Sequence, residues 1–350
     1  RQYITDSNTE GKPFSRYIYT QVVKLGKYMD NVTGFGSQRD FEKSGFDIAN
    51  AMICTPEKNL EADNSTPFDT FVYKVAKETL FSRHDTRHKV SVKPWLLKEA
   101  IQIGVNDQLI THPWQTKSFV GMSAMSYGSL GDHAVETLAR GLALAGSWVN
   151  TGEGGLAPLH LVGGGDVVYQ FGPAMFGCRN GEGNFSPENY KHQVSHEQIV
   201  ATEVKFHQGA KVKGGILPKE KITSKIAAIR GIPMGQDCLS PNAYPHISSA
   251  EDVGIFIREL KQLSGKPVGI KFVVGQVSEI VEVFIKLNEM NALPNFVTID
   301  GGEGGSGAAP QDMADSLGIP LFQSIVLINR IFNELKIRDK ITIFASGKLV

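Results

Sequence analysis

From about Ser118 onward, short apolar runs alternate with amphipathic segments, and this alternation limits the possible folds more than any other feature of the chain. The runs are Phe119–Met125, Ser147–Asn150, Glu203–His207, Pro267–Val274, Asn295–Asp300 and Ile341–Ala345, with a weaker one, Met234–Leu239, between the third and fourth. Between them, Asp132–Ala145, Thr223–Arg230, Ala250–Leu263, Ser278–Met290 and Pro320–Leu335 space their apolar residues as helices do. Buried β-branched strands alternating with helices specify a parallel β/α architecture. Seven strands exceed a small open sheet and predict a (β/α)8 TIM-type barrel. No eighth run follows Ser346, so the expected barrel, residues 116–350, is C-terminally incomplete in this chain. Residues 1–115 read as an N-terminal α+β extension, with a helix from Ser15 to about Met29 that places Ile18, Val22, Leu25 and Met29 on one face.

Composition narrows the function classes. Lys plus Arg and Asp plus Glu are both 36, and a formal charge of zero argues against a nucleic-acid-binding module. No apolar run is long enough to span a bilayer. The first residues are polar and the chain starts at Arg1, which predicts a trimmed product. Membrane association is therefore expected only through residues upstream of Arg1. The three cysteines, Cys54, Cys178 and Cys238, are far apart, with no metal-ligand spacing and no disulfide framework. They predict a reducing, cytoplasmic setting and no metal site. His84 and His88 lie among Arg83, Arg87 and Lys89 and read as a solvated basic face. His192 and His196 have helical metal-ligand spacing but no third ligand nearby, and read as a solvated helix.

In a parallel barrel the chemistry sits where the strands end. Those ends are rich in small and polar residues: Ser123-Ala124-Met125-Ser126-Tyr127-Gly128-Ser129, Asn150-Thr151-Gly152-Glu153-Gly154-Gly155, His207-Gln208-Gly209-Ala210-Lys211, Asp300-Gly301-Gly302-Glu303-Gly304-Gly305-Ser306-Gly307 and Ala345-Ser346-Gly347. Five glycines between 301 and 307 let backbone N–H groups approach one anion, or else permit close chain packing. The Gly302-x-Gly304-x-x-Gly307 spacing matches a dinucleotide fingerprint only superficially, since no acidic residue follows at the required distance. Lys271 interrupts an apolar strand, and a buried ammonium needs a partner. That partner is either a carboxylate such as Asp300 or the anionic edge of a cofactor such as a reduced flavin. Gln208 offers both donor and acceptor to the same edge.

Taken together and in this order, these runs resemble the FMN-binding synthase domain of glutamate synthase, and in particular the stand-alone glutamate synthase-like proteins that have no amidotransferase domain. The resemblance extends through Arg1–Ser15 and Phe35-Gly36-Ser37-Gln38. It implies an FMN-dependent oxidoreductase in which reduced FMN passes a hydride to the imino acid formed from 2-oxoglutarate and ammonia, giving glutamate, with electrons from a separate donor. It implies that Ala124, Met125 and Ser126 line the flavin ring. Gln208 and Lys271 would then hold its pyrimidine edge, while Gly301, Gly302, Gly304, Gly305, Ser346 and Gly347 approach ribityl and phosphate. Lys211 and Arg230 would clamp the oxoacid carboxylates and Glu153 would be the acidic group of the substrate pocket. The residues by themselves also allow Glu153 as a loop-stabilising carboxylate and Arg230 as a helix C-terminal charge. The family's iron–sulfur cluster is expected, but its cysteines are absent from this chain. The sequence departs from the family at Leu156 and Ile216, where a glutamate and a glutamine are usual, and the Lys211–Gly215 loop is one residue short. Each departure is expected to remove a polar contact from the oxoacid pocket. The competing reading is a non-catalytic or truncated flavin-binding barrel, or a barrel oxidoreductase for another oxo or amino acid.

Overall fold

A computed structural model describes residues 96–209, 215–305 and 317–347. The helix expected at 15–29, the His84–His88 pair and Lys211 lie outside the described residues. Two antiparallel strands come first, β1 (Leu96–Ile103) and β2 (Trp114–Ser118). Then follow α1 (Tyr127–Leu130), α2 (Asp132–Ala145), β3 (Val149–Asn150), β4 (Val167–Phe171), α3 (Pro187–Val194), β5 (Ile199–Lys205), β6 (Ile216–Leu217), α4 (Ser224–Arg230) and β7 (Cys238–Leu239). The chain continues through α5 (Ala250–Ser264), β8 (Val268–Val273), α6 (Val277–Glu289), β9 (Phe296–Asp300), α7 (Leu321–Glu334) and β10 (Thr342–Ser346).

Six of these strands form one parallel sheet in the order β10-β9-β8-β5-β4-β3. Every neighbour is the next sheet strand along the chain, and a parallel bridge from Met122 to Val149 adds a seventh position beyond β3. The sheet curls until the hydroxyl of Ser123 lies 3.2 Å from that of Ser346 at its other end. This is a partial (β/α)8 barrel. Every residue of β4 and β9 is buried, as expected for strands covered on both faces. Helices pack outside: Phe284 and Leu287 of α6, and Ile328 and Phe332 of α7, are at most 1% exposed, with Phe284 and Phe332 rings 4.6 Å apart.

The helix boundaries follow local chemistry. Ser249 caps α5 reciprocally with Asp252, and Gly265 ends it at φ +63°, a conformation few side chains tolerate. Gly146 and Gly231 end α2 and α4 in the same way. At the strands' N-terminal ends, the β1–β2 hairpin forms a floor. Trp114 packs edge-on to Trp148 at 5.5 Å and to Phe296 at 6.5 Å, and its Nε1 donates to Asp166 at 2.9 Å.

Three expectations change. Phe119–Met125 is not a strand; only Met122 bridges, and Phe119 and Val120 are half-exposed. Met234–Leu239 is not a barrel strand, because Cys238–Leu239 pairs antiparallel with Ile216–Leu217 in a separate two-stranded sheet. The barrel strand absent from the sequence reading is β4, five residues whose run is broken by the polar Gln170. In the sheet, β4 thus stands between β3 and β5, and no strand from Met234–Leu239 stands between β5 and β8.

Candidate functional site

The two central strands deliver a pair of lysines to the mouth. Lys205 ends β5 and Lys271 lies in β8, and the two are register partners on adjacent parallel strands. Both are buried, at 8% and 5% exposure. Lys205 Nζ donates to Glu153 Oε1 and to Gln208 Oε1, each at 2.8 Å. Lys271 has longer contacts, 3.6 Å to Asp300 Oδ1 and 3.5 Å to the Ser346 hydroxyl. A well-formed ammonium–carboxylate hydrogen bond is about 2.7–2.9 Å. Lys271 therefore keeps donor capacity for a further acceptor. Asp300 is already shared, since its Oδ2 accepts the Gly209 amide at 2.8 Å.

The strand-end loops lock together around these lysines. Gln208 Nε2 donates to the Gly305 carbonyl at 2.8 Å, so this amide ties the glycine loop to β5. Gly209 has no room for a side chain: a Cβ there would sit 1.6 Å from the Gly301 oxygen. A Cβ on Gly302 would meet the Gly318 oxygen at 2.3 Å, and one on Gly304 the Gly347 Cα at 2.8 Å. The amides of Gly301, Gly302 and Gly304 donate to the carbonyls of Ser346, Ile319 and Gly301. Close chain packing, rather than an open ring of amides, is what these glycines provide. The start of α7 is likewise served from within, for the Glu303 carboxylate accepts the Leu321 amide at 3.0 and 3.1 Å.

On the opposite side, Gly152, at φ +65°, is seated on the Met125–Ser126 peptide, where a Cβ would be 2.6 Å from Met125 C. That contact places the Ala124–Ser126 strip beside the Glu153 loop. Glu153 also fills the space over Gly172, whose Cβ would be 2.4 Å from Glu153 Oε2. Arg230 ends α4 with its guanidinium 4.7 Å from the Phe176 ring centre, near Gly128 and Gly154. Tyr127 donates to Asp132, whose other oxygen pairs with Lys225 of α4 at 2.6 Å, linking α4 to the loop that bears Ser126. That bond to Asp132 raises the Tyr127 phenol above its ordinary range. Burial, with Lys205 adding to it, lowers the His207 imidazole despite the opposing pull of Glu279.

Of the residues singled out in the sequence, the structure brings Met125, Ser126, Glu153, Gln208, Arg230, Lys271, Gly301–Gly305, Ser346 and Gly347 to this one end of the barrel. Leu156, 8% exposed, packs in the hydrophobic core, and Ile216 is 67% exposed on β6. Sequence reasoning missed Lys205 and Glu203. The signal was present, since both interrupt the apolar run Ile199–Phe206 as Lys271 interrupts its own. Among the described residues no group of three or more His, Cys, Asp or Glu could hold a metal ion, and the His192 and His196 rings stack edge-on at 6.2 Å. No helix among them is long and apolar enough to cross a membrane.

The donors at the mouth fit an anionic, hydrogen-bonding ligand. Two buried ammonium groups lie side by side, and among the described residues one of them is held only by long contacts. A flavin's pyrimidine edge has that chemistry.

Residues 49–350 match the family model described as the conserved region in glutamate synthase. The glutamate synthase large subunit-like protein YerD of Bacillus subtilis (strain 168) is 39% identical over 352 residues, covering 100% of this chain and 67% of that protein. The archaeal glutamate synthase [NADPH] of Methanocaldococcus jannaschii is 35% identical over 226 residues, covering 64% of this chain and 41% of that protein. A Thermotoga maritima archaeal-type glutamate synthase [NADPH] is 34% identical over 231 residues, 65% of this chain and 42% of that one. The chain thus spans two thirds of the first relative and about two fifths of the other two. By the family match across 302 of its 350 residues (49 to 350 inclusive), the chain belongs to the glutamate synthase family.

Proposed function

We propose that the protein is a glutamate synthase-type, FMN-dependent oxidoreductase that acts on an oxoacid and ammonia. The observation that carries the reading is the pair of register-matched buried lysines at the mouth, one of them, Lys271, with only long contacts among the described residues. When bound, reduced FMN supplies the hydride. The chain's own residues do the rest. Lys271 binds the negative pyrimidine edge, with Gln208 and Ser346 beside it. Ala124, Met125 and Ser126 form the strip against which the ring lies. Gly305 and Gly347 bring backbone to the ribityl and phosphate, and Gly301, Gly302 and Gly304 keep that turn compact. Arg230, with Lys211, binds oxoacid carboxylates, a task that suits a planar guanidinium. Glu153, held by Lys205, orients ammonia or carries its proton at the carboxylate.

The test is single-turnover reoxidation. Protein is purified with its flavin, reduced by light, and mixed with 2-oxoglutarate, ammonium, both or neither. The proposal expects reoxidation that requires both, with glutamate as product. Equal rates in all four mixtures would remove the synthase reading and leave flavin binding alone. A second reading, turnover of a different oxoacid, is favoured by Leu156, an apolar residue at the position where family members carry a glutamate. A panel of oxoacids in the same assay separates the two.

A further inference from the structure

We infer that Glu203, which lies below the mouth, is a positioning residue whose buried carboxylate fixes the Gly152–Glu153 loop through Asn150. This rests on the reading of the mouth as the reacting site. Glu203 is 2% exposed, inside the barrel, two residues before Lys205 on the same strand. Three side chains from three other strands converge on it. Asn150 Nδ2 of β3 donates to Oε1 at 2.8 Å, Gln170 Nε2 of β4 donates to Oε1 at 2.5 Å, and the Thr298 hydroxyl of β9 donates to Oε2.

The consequence lies in Asn150. Its amide has one donor end and one acceptor end. With Nδ2 committed to Glu203, Oδ1 faces the other way and accepts the Gly152 amide at 2.9 Å. A flipped Asn150 would turn an NH2 toward that N–H and lose both bonds. Gly152 has no slack, because it is seated on the Met125–Ser126 peptide at φ +65°. The next residue, Glu153, meets Lys205. One carboxylate therefore sets the Asn150 rotamer, the loop, and the acid that faces Lys205. Gln170 strengthens the tie, since its backbone amide donates to the Thr151 hydroxyl at 2.9 Å in the same loop.

Glu203→Gln can satisfy every partner. Its carbonyl oxygen accepts from Asn150 and Gln170, and its NH2 faces the Thr298 hydroxyl, which can accept. Glu203→Leu strands three buried donors. Asn150→Asp keeps an acceptor for Gly152 but sets two carboxylates face to face, which is tolerated only while they share a proton. The experiment is hydrogen exchange at the Gly152 and Glu153 amides in the 350-residue chain without substrate, so its outcome does not depend on turnover. We expect Glu203→Leu to speed exchange at Gly152 by about tenfold or more while α6 amides keep their rates. Glu203→Gln should restore wild-type protection. Asn150→Asp should show protection that fails as pH rises, after correction for intrinsic exchange. If Glu203→Leu does not fold, the Gln and Asp variants decide. Wild-type protection at all pH values in Asn150→Asp, or Glu203→Gln as unprotected as Glu203→Leu, would overturn the assignment. So would Glu203→Leu loosening α6 and the loop equally, which marks a residue that only holds the fold.

Discussion

The two ends of the barrel are built from the same strands and have opposite character. β9 runs from Phe296 to Asp300, and β10 from Phe344 in its middle to Ser346 at its end. Just before β3 comes Trp148, and that strand ends at Asn150. At the floor, Trp114, Trp148, Phe296 and Phe344 lie with ring centres 5.4–6.5 Å apart and exclude water. At the mouth, Lys205, Lys271 and Asp300 are buried together, with Glu203 just below them, each at 8% exposure or less. Burying charge is costly, whereas burying aromatic rings is a gain. The comparison teaches that the floor holds the barrel together, and under the proposed function the charges at the mouth serve to bind a ligand.

Substitutions should separate the two ends. The largest effect is expected at the floor. Trp114→Ala removes a nearly fully buried ring and should cost about 3–5 kcal/mol in denaturant unfolding, with flavin affinity of the folded fraction unchanged. Loss of flavin without loss of stability would reverse the assignment of roles.

A second test is acid titration of stability. His160 follows the mouth loop, and burial drives its imidazole down from 6.5 to about 4. The folded protein therefore keeps His160 neutral where the unfolded chain protonates it. This contribution is complete above pH 6.5 and is lost as pH falls toward 4, amounting to about 3 kcal/mol. His160→Asn should flatten that part of the stability–pH curve; an unchanged curve would place the acid sensitivity elsewhere.

Next comes Lys271→Met at the mouth. Flavin affinity should fall by about 1.5–3 kcal/mol, the contribution of a hydrogen bond to a charged group. Unfolding free energy should change less than for Trp114→Ala. The smallest effect is expected at the seam, where Ser123→Ala removes one hydroxyl contact to Ser346. It should cost about 1 kcal/mol or less; a loss comparable to Trp114→Ala would mean that the seam, not the floor, closes the sheet.

Much of this architecture is legible in the sequence. Asp132–Ala145 is read with both ends correct because its apolar spacing stops at a glycine that only the helix end requires. β4 escapes because Gln170 breaks its apolar run, yet Gln170 is buried to bond Glu203, its register partner on the neighbouring strand β5. That contact is set by strands far apart in sequence, so no local pattern announces it. The glycine loop between 301 and 305 is conspicuous, but its role depends on Gly209, Gly318 and Gly347, which only the fold brings near. Lys271 stands out as a charge in an apolar strand, and Lys205 carries the same signal. What hides Lys205 is that its run, Glu203–His207, already holds Glu203 and His207, so one more charge in it does not stand out.

The account turns on whether the lysine-lined mouth is a flavin site, and the most direct measurement is the visible absorption spectrum of the purified protein after equilibration with FMN and removal of excess. It predicts a flavin band corresponding to one FMN per chain in the native protein, greatly reduced in Lys271→Met. Native protein that stays colourless, or a Lys271→Met variant that holds as much FMN as native, would contradict it.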